Sequence, residues 1–372
     1  MRWAWAEIDL DAVQHNVAVL REAVAPSAVW AVVKADGYGH GAVDVARAAI
    51  EAGAEGLAVA LVAEGIDLRR AGIDAPILLL SEQPPITAAH IVEHRLTPTV
   101  YTRRFVDALA AAGPTGLPVH LKLDTGMQRV GVHPYAAASV AAAIEERAPA
   151  LRLAGIFTHL AVADDPQNDA TALQLGVFEH ALEQLPDVPL VHAANSAGGL
   201  AHPRARYSLV RAGIAIYGIS PGHGVDHLCG DLRPAMSLRA LESYVKQVTA
   251  GSRISYGLRH RFERDTTVAT IPLGYADGVP RRLWENGGEV LIGGRRCRIV
   301  GVVTMDQLMV DCGDADVRVG DEVVLIGRQD GPDGEDTIRA EEWADRLGTI
   351  GYEIVCGIST RVPRVPRRSI ES

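Results

Sequence analysis

The sequence predicts an α/β protein: a (β/α)8 barrel of the TIM type followed by a C-terminal, mostly antiparallel β domain. Three observations lead there. The 372 residues exceed what one small domain needs. From about residue 28 to 215, short apolar runs alternate with alanine-rich stretches of helical composition. Beyond about residue 237 the texture changes to short β-branched segments punctuated by glycine. At 48% hydrophobic and 22% charged, the composition is that of an ordinary globular chain, so disorder, collagen and coiled coil are excluded.

Residues 2–9 come first and alternate in strand fashion; they are expected to pair with the second domain. Eight apolar runs follow: AVWAVV from Ala28, LAVA from Leu57, PILLL from Pro76, LTPTV from Leu96, LPVHLKL from Leu117, LRLAGIF from Leu151, VPLVHA from Val188 and YSLVRAGIAIYG from Tyr207. Helices are expected between them, for example Gly41 to Ala52, Pro134 to Arg147 and Asp169 to Leu185. Eight parallel strands, each followed by a helix, close into a barrel. The rival topology is an open doubly wound sheet, but the G-x-G-x-x-G fingerprint is absent after the first strand. The turn-forming stretch SPGHGVDHLCGDLRP reads as a linker, which places a barrel over residues 10–230. Residues 231–372, with the strand over 1–9, form the β domain, from segments such as TTVATIPLGYADG, GEVLIGGRRCRIVGVVTMDQLMVDCG and GDEVVLIG.

Thirty-six basic against 46 acidic residues give a net charge of −10, which repels phosphate backbones, so no nucleic-acid partner is expected. No apolar run approaches membrane-spanning length, and Glu7 and Asp9 interrupt the N-terminus where a signal peptide needs its apolar stretch. A soluble, cytoplasmic protein with no membrane partner is expected. Cys229, Cys297, Cys312 and Cys356 show no C-x-x-C spacing, so reduced thiols are the default, and no metal is expected. Only three lysines occur, Lys34, Lys122 and Lys246, against 33 arginines. Arginine replaces lysine on a solvated surface but forms no Schiff base, so each lysine is a candidate for a role that needs an amine.

In a β/α barrel the active site lies at the C-terminal ends of the strands. There the first run ends in Lys34, the fifth in Lys122 and Asp124, the sixth in Thr158 and His159, the seventh in Asn195 and Ser196, and the eighth in Arg211 before Gly213. A strand-end lysine ordinarily reaches solvent. In a partly desolvated mouth its amine shifts toward the neutral, nucleophilic form. Loops after strands seven and eight commonly bind phosphate, and Ser196, Gly213 and Ile214 offer a hydroxyl and backbone amides there. An amine beside a phosphate site suits an aldehyde bearing a phosphate, and pyridoxal 5′-phosphate is the obvious one.

The segment AVVKADGYGHGA resembles the cofactor-lysine signature of the alanine racemase family. The resemblance continues in family order through AEIDLDAVQHNV, KLDTGMQRVG, THLAVAD, HAANSA, VRAGIAIYG, SYG, IPLGYADG, TMDQLMVD and GYEIVCGISTRVPR, covering essentially the whole chain. It departs at Asp36 and Gly37, at Leu160, and at Gln128, which stands where glycine is common and adjoins Arg129. The resemblance implies a pyridoxal-phosphate-dependent isomerase that interconverts L-alanine and D-alanine by two bases and supplies D-alanine for peptidoglycan.

It further implies that Lys34 holds the cofactor as a Schiff base and serves the D isomer as base, while Tyr256 serves the L isomer. Arg211, supported by His159, would face the pyridine nitrogen. Tyr38, Asn195, Ser196, Gly213, Ile214 and Tyr352 would bind the cofactor, mostly at its phosphate. Arg129, Met305, Tyr275 and Asp306 would bind substrate, and Lys122 would be carbamylated and orient Arg129. In the family Tyr256 and Met305 enter from the other subunit, so a homodimer is implied. The same lysine also suits a related pyridoxal-phosphate enzyme of other specificity, a barrel-only pyridoxal-phosphate carrier, or an aldolase that uses lysine directly.

Overall fold

The computed structural model describes residues 2–332 and 334–368. The chain divides into two compact units, one running from Val13 to Arg233 and the other combining the segment up to Ala12 with that from Pro234 onward.

The first strand, β1 (Ala4–Asp9), belongs to the second of these units. The barrel strands are β2 (Ala28–Val32), β3 (Gly56–Val59), β4 (Ile77–Leu79), β5 (Thr99–Val100), β6 (Leu117–Lys122), β7 (Leu151–Phe157), β8 (Leu190–His192) and β9 (Leu209–Ala212). Each falls within, or within a residue of, one of the eight apolar runs. Parallel strands covered by helices are buried on both faces, so they read as continuous rather than alternating apolar stretches. Two four-stranded parallel sheets, in the orders β4-β3-β2-β9 and β5-β6-β7-β8, make the wall. Backbone bonds from Leu79 N to Thr97 O (2.9 Å) and from Thr97 N to Ile77 O (2.8 Å) join them on one side. On the other, Ser208 N reaches Val191 O at 3.0 Å and Arg211 N reaches Ala194 O at 3.1 Å, which closes the barrel. Helices Ala42–Glu51, Ala137–Glu145 and Ala170–Leu182 lie where alanine-rich periodicity predicts them. The linker stretch is ordered: residues His223–Leu228 form a 3₁₀ helix with Val225 buried.

In the other unit the strands are β10 (Met236–Leu241), β11 (Tyr244–Val248), β12 (Arg253–Ile254), β13 (His260–Arg261), β14 (Thr266–Ile271), β15 (Glu289–Ile292), β16 (Arg295–Ile299), β17 (Leu308–Gly313), β18 (Glu322–Gly331), β19 (Gly334–Ile338) and β20 (Arg364–Arg367). Ten of the unit's strands form one sheet in the order β11-β14-β17-β16-β15-β18-β10-β1-β20, with β19 on β18. Strand β1 pairs antiparallel with β10 and parallel with β20, which explains its alternating burial so far from the rest of the unit in sequence. Among the described residues, no helix is long and apolar enough to cross a membrane.

Candidate active site

Lys34 leaves the end of β2 directly after fully buried Val33 and opens an unusual turn. Ala35, Asp36, Gly37 and Tyr38 follow with φ of 52°, 52°, 62° and 52°, a left-handed coil that costs an ordinary residue roughly 1–2 kcal/mol per position. Backbone bonds hold it: Gly37 N to Val33 O and Gly39 N to Ala35 O, both 2.9 Å. Glu64 fixes it to the next strand end, its carboxylate accepting from Ala35 N (2.6 Å), Ala60 N (2.8 Å) and Leu61 N (3.0 Å). Asp36 accepts from Ala42 N at 2.9 Å. Strained backbone held on several sides marks a place where geometry outranks propensity. The Lys34 amine sits 5.9 Å from the centre of the Tyr38 ring.

On β9, the strand paired directly with β2, Arg211 is buried and donates four hydrogen bonds: to His192 Nδ1 (2.7 Å), to the carbonyls of Thr158 and Ala193 (2.9 Å each) and to His159 Nδ1 (3.2 Å). A guanidinium only donates, so Nδ1 of His192 is the acceptor and its proton resides on Nε2. That nitrogen then donates to His120 Nδ1 at 2.9 Å. The chain Arg211–His192–His120 thus fixes one tautomer at each step. Burial and the Arg211 charge push His120 down to about 3, and push His192 and His159 well below the ordinary histidine value, so all three are neutral. Desolvation lowers Arg211 to about 9, leaving it cationic at neutral pH. No carboxylate is among its hydrogen-bond partners among the described residues.

Lys122, at the end of β6, is 5% exposed and donates to Leu80 O at 3.2 Å. Burial, then the charges of Arg211 and Arg129, bring its pKa from 10.5 to about 7, with Asp124 opposing and Lys34 adding to the fall. Arg129 rides on a loop that returns to the strand end through Asp124 N to Val132 O and Val132 N to Lys122 O, both 2.9 Å. Inside it Asp124 accepts from Gly126 N and Gln128 N at 3.0 Å each, and Gln128 adopts φ 58°, the left-handed geometry that favours glycine. Lys122, Asp124, Arg129, Thr158 and His159 line one small cleft.

After β8, Asn195 caps the helix Ser196–Ala201 by accepting from Gly198 N at 2.8 Å, so its side chain places Ser196. Ser196 Oγ in turn accepts from Gly213 N (2.8 Å) and Ala215 N (3.4 Å), at the start of the 3₁₀ helix Ile214–Tyr217. A Cβ on Gly213 would stand 2.8 Å from the Tyr38 hydroxyl. Tyr38, Ser196, Gly213 and Ile214 therefore meet in one cradle too tight for a larger residue at 213.

The remaining sequence-predicted residues lie in the other unit. Tyr256 begins a 3₁₀ turn after Ser255 (φ 63°) and is 72% exposed. Tyr275 N donates to Thr304 O (2.9 Å) and Ala276 N to Met305 O (3.0 Å), which bring Tyr275 and Met305 together. Asp306 pairs with Arg361 at 2.7 Å, and Arg361 with buried Asp277 at 3.4 Å. Tyr352, half-buried, sits in the helix Gly351–Gly357.

Sequence reasoning missed His120, His192 and Glu64. A signal existed for the first: His120 lies two residues before Lys122 on a strand, hence on the same face. It also opposes Gly155 on β7, where a Cβ would stand 2.7 Å from its ring. Nothing local distinguishes Glu64 from other acidic residues early in a helix.

A closed barrel whose mouth joins a strand-end lysine to a buried guanidinium, neutral histidines and a glycine-serine cradle is built as a barrel enzyme is, with its polar groups gathered at the C-terminal ends of the strands. Residues 8–221 match the alanine racemase N-terminal domain and residues 235–366 the alanine racemase C-terminal domain. The alanine racemase of Symbiobacterium thermophilum is 48% identical over 372 residues, covering 98% of this chain and 97% of that one, and that of Thermobifida fusca is 46% identical with 98% of each covered. The crystal structure of alanine racemase from Bacillus anthracis with bound L-Ala-P superposes with a TM-score of 0.92 at 40% identity, over 99% of this chain and 96% of that one. The chain belongs to the alanine racemase family, whose members are isomerases.

Proposed function

We propose that this chain interconverts L-alanine and D-alanine with pyridoxal 5′-phosphate, as a cytoplasmic homodimer. The observation that carries the reading is Lys34, held by a strained turn at the mouth of a barrel that also holds buried, cationic Arg211 and the neutral imidazoles of His120, His159 and His192. When bound, the cofactor would supply an aldehyde that joins the amino acid through its nitrogen and a conjugated pyridine ring that withdraws electrons and so acidifies the Cα proton.

The residues present fit such a group. Lys34 offers the amine for its aldehyde. The cradle of Tyr38, Ser196, Gly213 and Ile214 has the hydroxyls and backbone a phosphate needs, with Tyr352 proposed to complete it. Arg211 offers a donor to a ring nitrogen but hardly a proton, which limits electron withdrawal into the ring and disfavours transamination as a side reaction. Neutral His159 and His192 hold the guanidinium in place without neutralising it.

Inversion at Cα requires a proton to leave one face and return on the other. Lys34 Nζ and Tyr256 Oη are the two carriers, acting on the D and L isomers. Tyr256 and Met305 are proposed to come from the partner subunit, with the Met305 backbone toward the substrate carboxylate and Arg129, Tyr275 and Asp306 as further substrate-binding residues. In support, Tyr256, Leu258 and Met305 are 72%, 53% and 53% exposed on this chain, and Ser255 Oγ donates to Val302 O at 2.7 Å, which holds their two loops together. Exchange of the Cα proton in heavy water tests the assignment. Tyr256→Phe should abolish exchange from L-alanine while sparing the half-reaction with D-alanine; unchanged exchange from the L isomer would remove Tyr256 as its base.

A further inference from the structure

The helix Ala88–Glu93 lies on the outside of the barrel between β4 and β5, and His94 closes its C-terminus with φ −93° and ψ 11°. His90, Glu93 and His94 fall at i, i+3 and i+4, the spacing that stacks side chains on one helical face. His90 Nδ1 stands 3.5 Å from Glu93 Oε2, and His94 Nε2 stands 4.0 Å from the same oxygen. One donor atom from each residue lies within 4.8 Å of the others. A tetrahedral zinc ion with bonds of about 2.0–2.1 Å sets its ligands about 3.3 Å apart, so small side-chain rotations bring all three onto one ion.

The backbone under this face is fixed. His94 N donates to His90 O at 3.0 Å, and Arg69 donates to the carbonyls of His94 (3.0 Å), Ile73 (2.6 Å), Ala75 (2.8 Å) and Arg95 (2.9 Å). One guanidinium therefore pins the segment that carries the last ligand. His94 is also the least exposed of the three, at 23%, against 60% for His90 and 67% for Glu93.

We propose that His90, Glu93 and His94 form a binding site for a zinc-class divalent ion, a site the sequence reading did not expect. Two imidazoles and one carboxylate are the donors of zinc and its first-row neighbours; calcium and magnesium take oxygen ligands throughout. Three protein ligands leave a position open for water or an outside donor. The helix end bearing His94 runs into the N-terminal end of β5, so the site is on the face opposite Lys34 and Arg211 and takes no part in their chemistry.

Calorimetric titration of the chelator-treated, cofactor-loaded protein with zinc chloride tests this. Wild type should bind one zinc per chain, with affinity falling about tenfold or more in each of His90→Gln, Glu93→Gln and His94→Gln. His180→Gln alters another exposed histidine, 3.3 Å from Glu183 but with no third His, Cys, Asp or Glu donor beside them among the described residues, and should leave the isotherm unchanged. Absence of saturable binding in wild type, or binding that survives both His90→Gln and His94→Gln, would overturn the proposal.

Discussion

A lysine amine at its ordinary value of 10.5 is almost wholly protonated at neutral pH. Lys122, buried beneath Arg211 and Arg129 and titrating near 7, offers roughly a thousandfold more neutral amine. Neutral amine adds to dissolved carbon dioxide, forming a nitrogen–carbon bond and releasing one proton, and the product carries −1 where the lysine carried +1. Among Arg211, Arg129 and Lys34 that inversion replaces repulsion with attraction, which supports the proposal that Lys122 is carbamylated and orients Arg129. With ¹³C-labelled bicarbonate, the holoenzyme should show one carbamate resonance that is missing from Lys122→Ala. Active enzyme without that resonance would contradict it. Single residues were readable in the sequence where scarcity or position singled them out: three lysines in 372 residues directed attention to Lys34 and Lys122. His120 was marked only by its place two residues before Lys122, and His192 not at all, because a histidine inside an apolar run signals burial but not its partner.

Elements were readable to the degree that burial wrote them as unbroken apolar runs. β6 and β7, six and seven residues long, are plain in LPVHLKL and LRLAGIF. β5 is only two residues long and is visible chiefly because seven other strands require it. The turn after Lys34 lies outside what propensity can foretell, since neither alanine nor aspartate prefers positive φ in succession. Local preference and fold disagree there, the signature of a site shaped for function. Sheet order in the β-rich unit was equally hidden: short antiparallel strands reveal their existence but not that β1 lies between β10 and β20.

For the whole molecule, three neutral histidines in the barrel make stability sensitive to acid. Their folded pKa values are depressed, to about 3 for His120, whereas an unfolded histidine takes up a proton near 6.5. Below about pH 6.5 the unfolded chain binds more protons, so stability falls as pH falls, on the order of 1 kcal/mol per pH unit for each histidine. Denaturant unfolding at pH 7, 6 and 5 should show a progressive loss; equal stability at pH 7 and 5 would mean that these histidines protonate freely in the folded barrel.

The account rests on the Lys34 amine holding the cofactor. Borohydride reduction of the cofactor-loaded protein, followed by peptide mapping, tests that most directly. The pyridoxyl group should be recovered on the peptide containing Lys34 and on no other lysine. Its recovery at Lys122 or Lys246, or its failure to attach at all, would contradict the account.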